Sequence, residues 1–245
     1  MFIITLAKIT SIILAIVGAT FAIPIATAIY CKEFAVLPSF VIPMAVSFIV
    51  VLAVNLPTKK IKYNMNIRQT FLIVALVWII ARIMGSVPLY FCGAFNSYLD
   101  AFFESVSGFT TTGATVLSNV DAVPRSINLW RTMTQWRGGM GIVTLTVALL
   151  PLLGVGGFQL IKAETTGPEK GKVTARINTT AKVLWIIYAG FTLIETLALK
   201  LAGMDFIDAL SHSFSTLGTG GFSSRNASIG AYDSGAVDSI TTVFM

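Results

Sequence analysis

Long uncharged runs alternate with short amphipathic stretches along this chain. Residues 9–30 form a run of 22 uncharged residues behind Lys8, and residues 34–58 form a second beyond Lys32 and Glu33. A helix needs about 20 apolar residues to cross a bilayer core, so each run predicts a transmembrane helix. A cleaved signal peptide is the competing reading of the first, with Ala19 and Ala22 as small residues, but its apolar character continues to Tyr30. Pro38 and Pro43 predict a bend in the second run. They do not disqualify it, because neighbouring helices satisfy the freed carbonyls. A third run near residues 70–92 is interrupted only by Arg82, and a fourth lies near residues 183–202.

Two segments between the runs are too short to cross. Ser97 to Gly108 reads as a helix with Ser97 and Asp100 in a capping pattern, and Asp205 to Ser215 repeats the design. A dozen helical residues rise only about 18 Å, roughly half the membrane, so each segment must enter and turn back. Both are followed by turns of small polar residues, SGFTTTGAT at 107–115 and SFSTLGTGGFSS at 213–224. Non-helical backbone at membrane depth is tolerated only inside protein or beside water, and extended Thr/Gly backbone suits carbonyls that replace a cation's hydration shell. The carboxyl ends of the half-helices, near Gly108 and Ser215, add partial negative charge.

The segment that returns from the first turn, residues 129–161, holds Gly138, Gly139, Gly141, Pro151, Gly154, Gly156 and Gly157. Only the 24 residues after Arg137 are uncharged, and this composition predicts a broken or flexible span.

Composition agrees: 55% of residues are hydrophobic, 11% are charged and the mean hydropathy is +0.82. Soluble domains carry about 25% charged residues, so this is an integral membrane protein. The net charge of +6 gathers in two loops, Lys59, Lys60, Lys62 and Arg68 in one, Lys162, Lys170, Lys172, Arg176 and Lys182 in the other. That is the positive-inside pattern of cytoplasmic loops, not a nucleic-acid surface. With both loops inside, both re-entrant hairpins open outward. Cys31 and Cys92 then fall near the outer face, where a disulfide and two unpaired thiols both remain open, and neither has metal-ligand spacing.

Several polar residues need partners at depth. Arg82 costs about 2.5–3.5 kcal/mol near a span centre. We expect it to pair with Glu104 and brace the first half-helix, the alternative being that it snorkels to an interface. Lys200 is the expected partner of Glu195. Asp121 has two readings, a negative outer mouth or a loop acid paired with Arg125. His212, the only histidine, is expected to make a packing hydrogen bond, since no chain of acids accompanies it for proton relay. No nucleophile motif, P-loop or His/Asp/Glu cluster speaks for an enzyme.

The stretches SGFTTTGATVLSNVD, QWRGGMGIVTLTVALLPLLGVGGFQLIKAETTGPEKGKVTARI and GGFSSRNASIGAYDS resemble the TrkH family of potassium-translocating subunits in the bacterial Trk system, of the Trk/Ktr/HKT superfamily. The GGMG and AET-GP segments favour this family over the ATP-driven Kdp type. The resemblance implies an all-α integral membrane protein of repeated units, each a membrane helix, a pore half-helix, a filter loop and a second membrane helix. Two extra N-terminal transmembrane helices precede them. It divides the chain into 1–68 (the two extra helices and a basic loop), 69–162 (a first complete repeat) and 163–245 (a second, truncated repeat). Two further repeats of a longer chain would close the ring. In this pattern Gly113 is the first filter glycine, flanked by Thr110, Thr111, Thr112 and Ala114. The second turn, Gly218, Thr219, Gly220 and Gly221, admits two registers, with Gly221 preferred to Gly218. Backbone carbonyls of Thr111, Thr112, Gly113, Thr219, Gly220 and Gly221 would then hold potassium. The resemblance also implies a multi-pass protein of the bacterial inner membrane, a homodimer and a cytosolic nucleotide-binding regulatory subunit of the TrkA kind. The basic 162–182 loop has two readings, a contact for that subunit or for lipid headgroups. It implies no organic cofactor. A sodium-permeable transporter and a non-transporting helical assembly subunit are the alternatives.

Cysteines introduced at Lys60 and Lys172 should react with impermeant thiol reagents only from the cytoplasmic side, and one at Asn119 only from outside. Labelling of Asn119 and Lys172 from one side would remove the re-entrant hairpins.

Overall fold

The computed structural model describes residues 2–58, 67–149 and 170–245. Its helices are α1 (Phe2–Ala19), α2 (Ala22–Tyr30), α3 (Leu37–Asn55), α4 (Ile67–Phe91), α5 (Tyr98–Phe109), α6 (Arg125–Leu149), α7 (Lys170–Leu201), α8 (Phe206–Leu217) and α9 (Gly235–Phe244), with a 3₁₀ turn at Ser228–Tyr232. The fold is all-α, and four segments are long and apolar enough to cross a membrane: Leu6–Tyr30, Leu37–Asn55, Phe71–Phe91 and Thr179–Leu201.

The first of these is one span made of two helices. Pro24 lacks an N–H and its ring crowds the carbonyl four residues back, so the helix steps at Thr20 and Phe21 and restarts with Pro24 in the first turn of α2. In α3, Pro38 falls in the first turn while Pro43 lies inside a helix that continues to Asn55. Gly18 lets α1 approach Ser47 of α3 closely, and Asn55 Nδ2 donates to Ser11 Oγ at 3.1 Å. This pair docks on α6 through aromatic rings. Phe21 and Phe40 lie 4.5 and 6.2 Å from the Trp130 ring, and the Trp130 indole N–H donates to the Gly85 carbonyl at 2.9 Å.

The interior is more polar than the rim. Ser105 is buried against α4 and Ser215 against Gln135 of α6, and Thr132, Ser211 and Ser213 are buried as well, whereas Ile16, Ile42, Ile186 and Leu193 are exposed. Helices whose apolar side faces lipid and whose hydroxyls face each other have the arrangement expected where lipid is the solvent.

Residues 129–149 correct one expectation. The glycines at 138, 139 and 141 neither break nor end α6, which runs unbroken to Leu149. They serve close packing instead. Gly138 lies against the Phe109 backbone, Gly139 against Gly218, and Gly141 against the Trp78 ring. The rest of that segment, with Pro151, Gly154, Gly156 and Gly157, lies outside the described residues. Part of the expected second basic loop is helical, since α7 begins at Lys170.

Helix α6 is thus the shared wall between the units. One face touches the end of α5, another the end of α8. Trp136 reaches α7, donating from Nε1 to Thr192 Oγ1 at 2.9 Å, and its carbonyl accepts the Tyr188 hydroxyl at 3.1 Å.

A pair of filter-like turns and the side chains that hold them

The two half-helices are copies down to their hydrogen bonds. Each is 12 residues long. Ser97 Oγ accepts from Asp100 N at 3.1 Å and Asp205 Oδ2 from Ile207 N at 3.1 Å, each satisfying a donor the helix start leaves free. At the exits, Thr111 N bonds Gly108 O and Thr112 N bonds Ser107 O, at 2.9 and 3.0 Å. Thr219 N bonds Thr216 O and Gly220 N bonds Ser215 O, both at 2.9 Å. This is the paired bonding of a Schellman C-cap, whose left-handed residue is usually glycine. Here it is threonine both times, Thr111 at φ 56° and Thr219 at φ 50°. A β-branched residue in that region costs about 1–3 kcal/mol, strain of the kind that gathers at functional sites.

Two residues on, Gly113 has φ 76° and Gly221 has φ 83°. The bonding therefore pairs Thr111 with Thr219, Thr112 with Gly220 and Gly113 with Gly221. Gly218 takes the place of Thr110, at the helix cap with φ −71°. A Cβ on Gly218 would meet Phe214 O at 2.8 Å and the Gln135 backbone at 2.9 Å, so Gly218 lets α8 and α6 approach. Gly113 is hemmed in by the other turn: a Cβ there would run into the Gly220 carbonyl, with Gly221 Cα at 3.5 Å. Ala114 follows, exposed.

Once these caps close, a row of acceptors is left over. Among the described residues, no hydrogen bond reaches the carbonyls of Thr111, Thr112, Gly113, Thr219, Gly220 or Gly221. Backbone carbonyls at membrane depth need partners.

Arg131, on α6, holds both turns. Its Nε donates to Glu104 Oε1 at 2.8 Å, and Nη2 lies 2.6 Å from the same oxygen and 3.2 Å from Thr115 Oγ1. Nη1 donates to Asn128 Oδ1 at 3.0 Å and to the Ser223 carbonyl at 3.4 Å. Each of the three guanidinium nitrogens thus donates at least one hydrogen bond. Glu104 in turn accepts the Thr115 hydroxyl at 2.8 Å and Val116 N at 3.1 Å. Phe222 lies against the guanidinium, ring centroid 4.5 Å away. One turn inward, Gln135 Oε1 accepts from Ser215 Oγ at 3.0 Å and Phe222 N at 3.1 Å, which fixes the second turn to the same helix.

The expected partner of Glu104 was Arg82, and the structure replaces it with Arg131. Glu104 points to α6, whereas the next residue, about 100° further round the helix, points to α4. That residue, Ser105, donates to the Arg82 backbone carbonyl at 2.7 Å, so α4 braces the half-helix through its main chain. Arg82 Nε and the three Arg137 side-chain nitrogens have no hydrogen-bond partner among the described residues. Their guanidinium groups lie 5.6 Å from the Trp78 ring and 4.4 Å from the Trp130 ring. The expected bond of Glu195 to Lys200 is absent among the described residues, and its carboxylate interacts with the Thr216 side chain instead. Cys31 and Cys92 are free thiols.

At the outer end the pairing differs again from expectation. Asp121 faces Arg225 at 3.9 Å and Asn226 N at 3.4 Å, not Arg125. Arg125 pairs with Asp205, the cap of α8, and lies 3.6 Å from Asp208. Partial burial alone would raise the Asp205 carboxyl, but hydrogen bonds from Arg125 and Ile207 N hold it below the usual carboxylate range. Asn226 bridges the two outer loops, accepting from Val120 N at 2.7 Å and donating to Asn119 Oδ1 at 2.9 Å. Glu33 accepts from Arg125 N at 2.7 Å and Ser126 N at 3.1 Å, tying the N-terminal pair to the start of α6.

Sequence reasoning passed over Arg131 and Gln135. Their signal was present, a charged and an amide residue one helical turn apart in the segment that returns from the first turn.

The TrkH family, described as cation transport proteins, matches residues 36–245. This chain belongs to that family. The Trk system potassium uptake protein TrkH of Escherichia coli (strain K12) is 49% identical over 191 residues, covering 77% of this chain and 40% of that protein. The TrkH of Vibrio parahaemolyticus is 43% identical over 244 residues, covering 97% of this chain and 49% of that protein. The crystal structure of the potassium transporter TrkH from Vibrio parahaemolyticus matches with a TM-score of 0.81 and 39% identity, over 100% of this chain and 49% of that one. This TrkH-family chain thus spans about half the length of those relatives.

Replacing Arg131 by Met should destabilise the detergent-solubilised TrkH-family protein by about 3–5 kcal/mol, because Glu104 is left buried and unpaired. The double variant Arg131→Met with Glu104→Gln should recover part of that loss in thermal unfolding. A double variant as unstable as the single one would mean that Arg131 acts through packing and not through the ion pair.

Proposed function

We propose that the two turns are two strands of a potassium filter, and that this chain is the first half of a potassium uptake transporter of the bacterial inner membrane. The observation that carries this reading is the row of six carbonyls without hydrogen-bond partners among the described residues. A bare cation is the partner such a row fits, because carbonyl oxygens replace the water an ion loses on entering a filter. The relatives' names, potassium uptake proteins, supply the ion. A sodium-permeable transporter is the second reading, since sodium also takes carbonyl ligands.

Two strands close only part of a ring, so the pore requires two more repeats, supplied by the remainder of a longer chain. By the family pattern the transporter acts as a homodimer with a cytosolic nucleotide-binding subunit, and potassium is its cargo with no organic cofactor. In this scheme Arg131 and Gln135 position the strands, and the helix ends at Gly108 and Ser215 add negative potential beneath the ion.

Gly113→Ser and Gly221→Ser test the filter, with the complete transporter expressed in cells that lack other potassium uptake. Gly113 has no room for a side chain beside Gly220, and Gly221 has open space but a positive φ. Both variants should reach the membrane, and each should lower the potassium-to-sodium uptake ratio by about tenfold or more, equivalent to roughly 1.4 kcal/mol. Gly218→Ser should instead reduce the amount of folded protein. Unaltered selectivity in both Gly113 and Gly221 variants would remove these turns from the ion path.

A further inference from the structure

The repeat continues behind the filter, and there the two halves diverge chemically. Counting along the half-helices, Glu104 of α5 corresponds to His212 of α8, and Thr115 corresponds to Ser223, each two residues beyond its positive-φ glycine. The matching is again bond for bond. Leu117 N donates to Thr115 Oγ1 at 3.1 Å, and Arg225 N donates to Ser223 Oγ at 2.9 Å. Glu104 accepts the Thr115 hydroxyl, and His212 Nε2 lies 3.5 Å from Ser223 Oγ.

Among the described residues the second copy has no counterpart of Arg131; the charged groups that act on His212 are Asp208 and Arg225, which pair with each other at 2.8 Å. Counted from the first residues of the following helices, Arg125 of α6 and Gly235 of α9, the place of Arg131 falls to Thr241. Thr241 is buried, and its hydroxyl has no partner among the described residues. Tyr232 fills the neighbourhood, its ring 5.6 Å from His212 and edge-on at 85°. His212 itself is 3% exposed. Because the Ser223 oxygen already accepts from Arg225 N, its hydroxyl proton is free to be donated to Nε2.

We propose that His212 is the positioning residue of the second filter strand, acting as a neutral hydrogen-bond acceptor for Ser223 where the first strand uses the Glu104–Arg131 ion pair. The strand after Gly221 is then held on one side by the Arg131 guanidinium at the Ser223 carbonyl, and on the other by an uncharged imidazole at its hydroxyl. A carboxylate at position 212 would lack a counter-ion of its own. An apolar residue would leave the hydroxyl unpaired, and the strand carrying Gly221 free to shift.

This inference rests on the filter reading, and its test keeps the two apart. In the complete transporter, His212→Ala, His212→Gln, Ser223→Ala and the Ala/Ala double variant are compared at matched membrane levels by their uptake of potassium and sodium. His212→Ala and Ser223→Ala should each reduce the preference between the ions by about tenfold, and the double variant should be no worse than either, as expected of contacting groups. His212→Gln, whose amide oxygen still accepts a hydrogen bond, should keep most of the preference. Full preference in His212→Ala, a Gln variant as poor as Ala, or additive losses in the double variant would each overturn the proposal. A wild-type protein that prefers sodium would refute the potassium reading while leaving this comparison intact. A wild-type protein that carries neither ion would overturn both.

Discussion

A guanidinium buried at membrane depth is costly unless its N–H groups find acceptors and its charge a counter-charge. Arg131 has a counter-charge and an acceptor for each nitrogen, and it finds them by drawing on three separate pieces of the chain. Glu104 comes from the first half-helix, Thr115 from the strand after the first turn, and the Ser223 carbonyl from the strand after the second. Removing any one would leave a buried donor unsatisfied. The requirement of one side chain for several acceptors therefore fixes two loops, far apart in sequence, relative to each other. Lysine in its place would offer three donors from a point, and has no planar fork with which to reach both loops.

Other features follow from that fixed frame. Once α6 holds both turns, its glycines let the half-helix ends close against it, and the Schellman caps consume the last helical carbonyls that would otherwise compete for a ligand. The strain of threonine in left-handed backbone at Thr111 and Thr219 is sustained because caps and glycines over-determine the path on either side. What remains is a short stretch of backbone whose six carbonyls have no hydrogen-bond partner among the described residues, the feature on which the filter proposal rests. The neutral pairing of His212 with Ser223 offers the second strand a weaker version of the same support.

Much of this was legible in the sequence, for physical reasons. Uncharged runs of 20 or so residues report spans because lipid tolerates few charges, and the half-helices were visible because 12 residues cannot cross. The turns were visible because Thr/Gly backbone at that depth has few other uses. Side-chain partners were not legible. Arg82 and Glu104 lie at similar depth, but pairing depends on rotation about the α5 axis, and one residue of rotation sends Glu104 to α6 and Ser105 to α4. The glycines of α6 were misread for a related reason. Low helix propensity predicts a break in water, while at a crowded helix crossing the same residues permit contact. The register of the second turn became clear only from the bonding at its cap.

The most direct test of the account is the position of a heavy potassium analogue. Crystals of the complete transporter grown with thallium should show anomalous density on the pore axis, within about 3 Å of the carbonyls of Thr111, Thr112 and Gly113 and of Thr219, Gly220 and Gly221, as expected for carbonyls replacing a hydration shell. Thallium bound elsewhere in a transport-competent protein, with these six carbonyls turned away from it, would contradict the account.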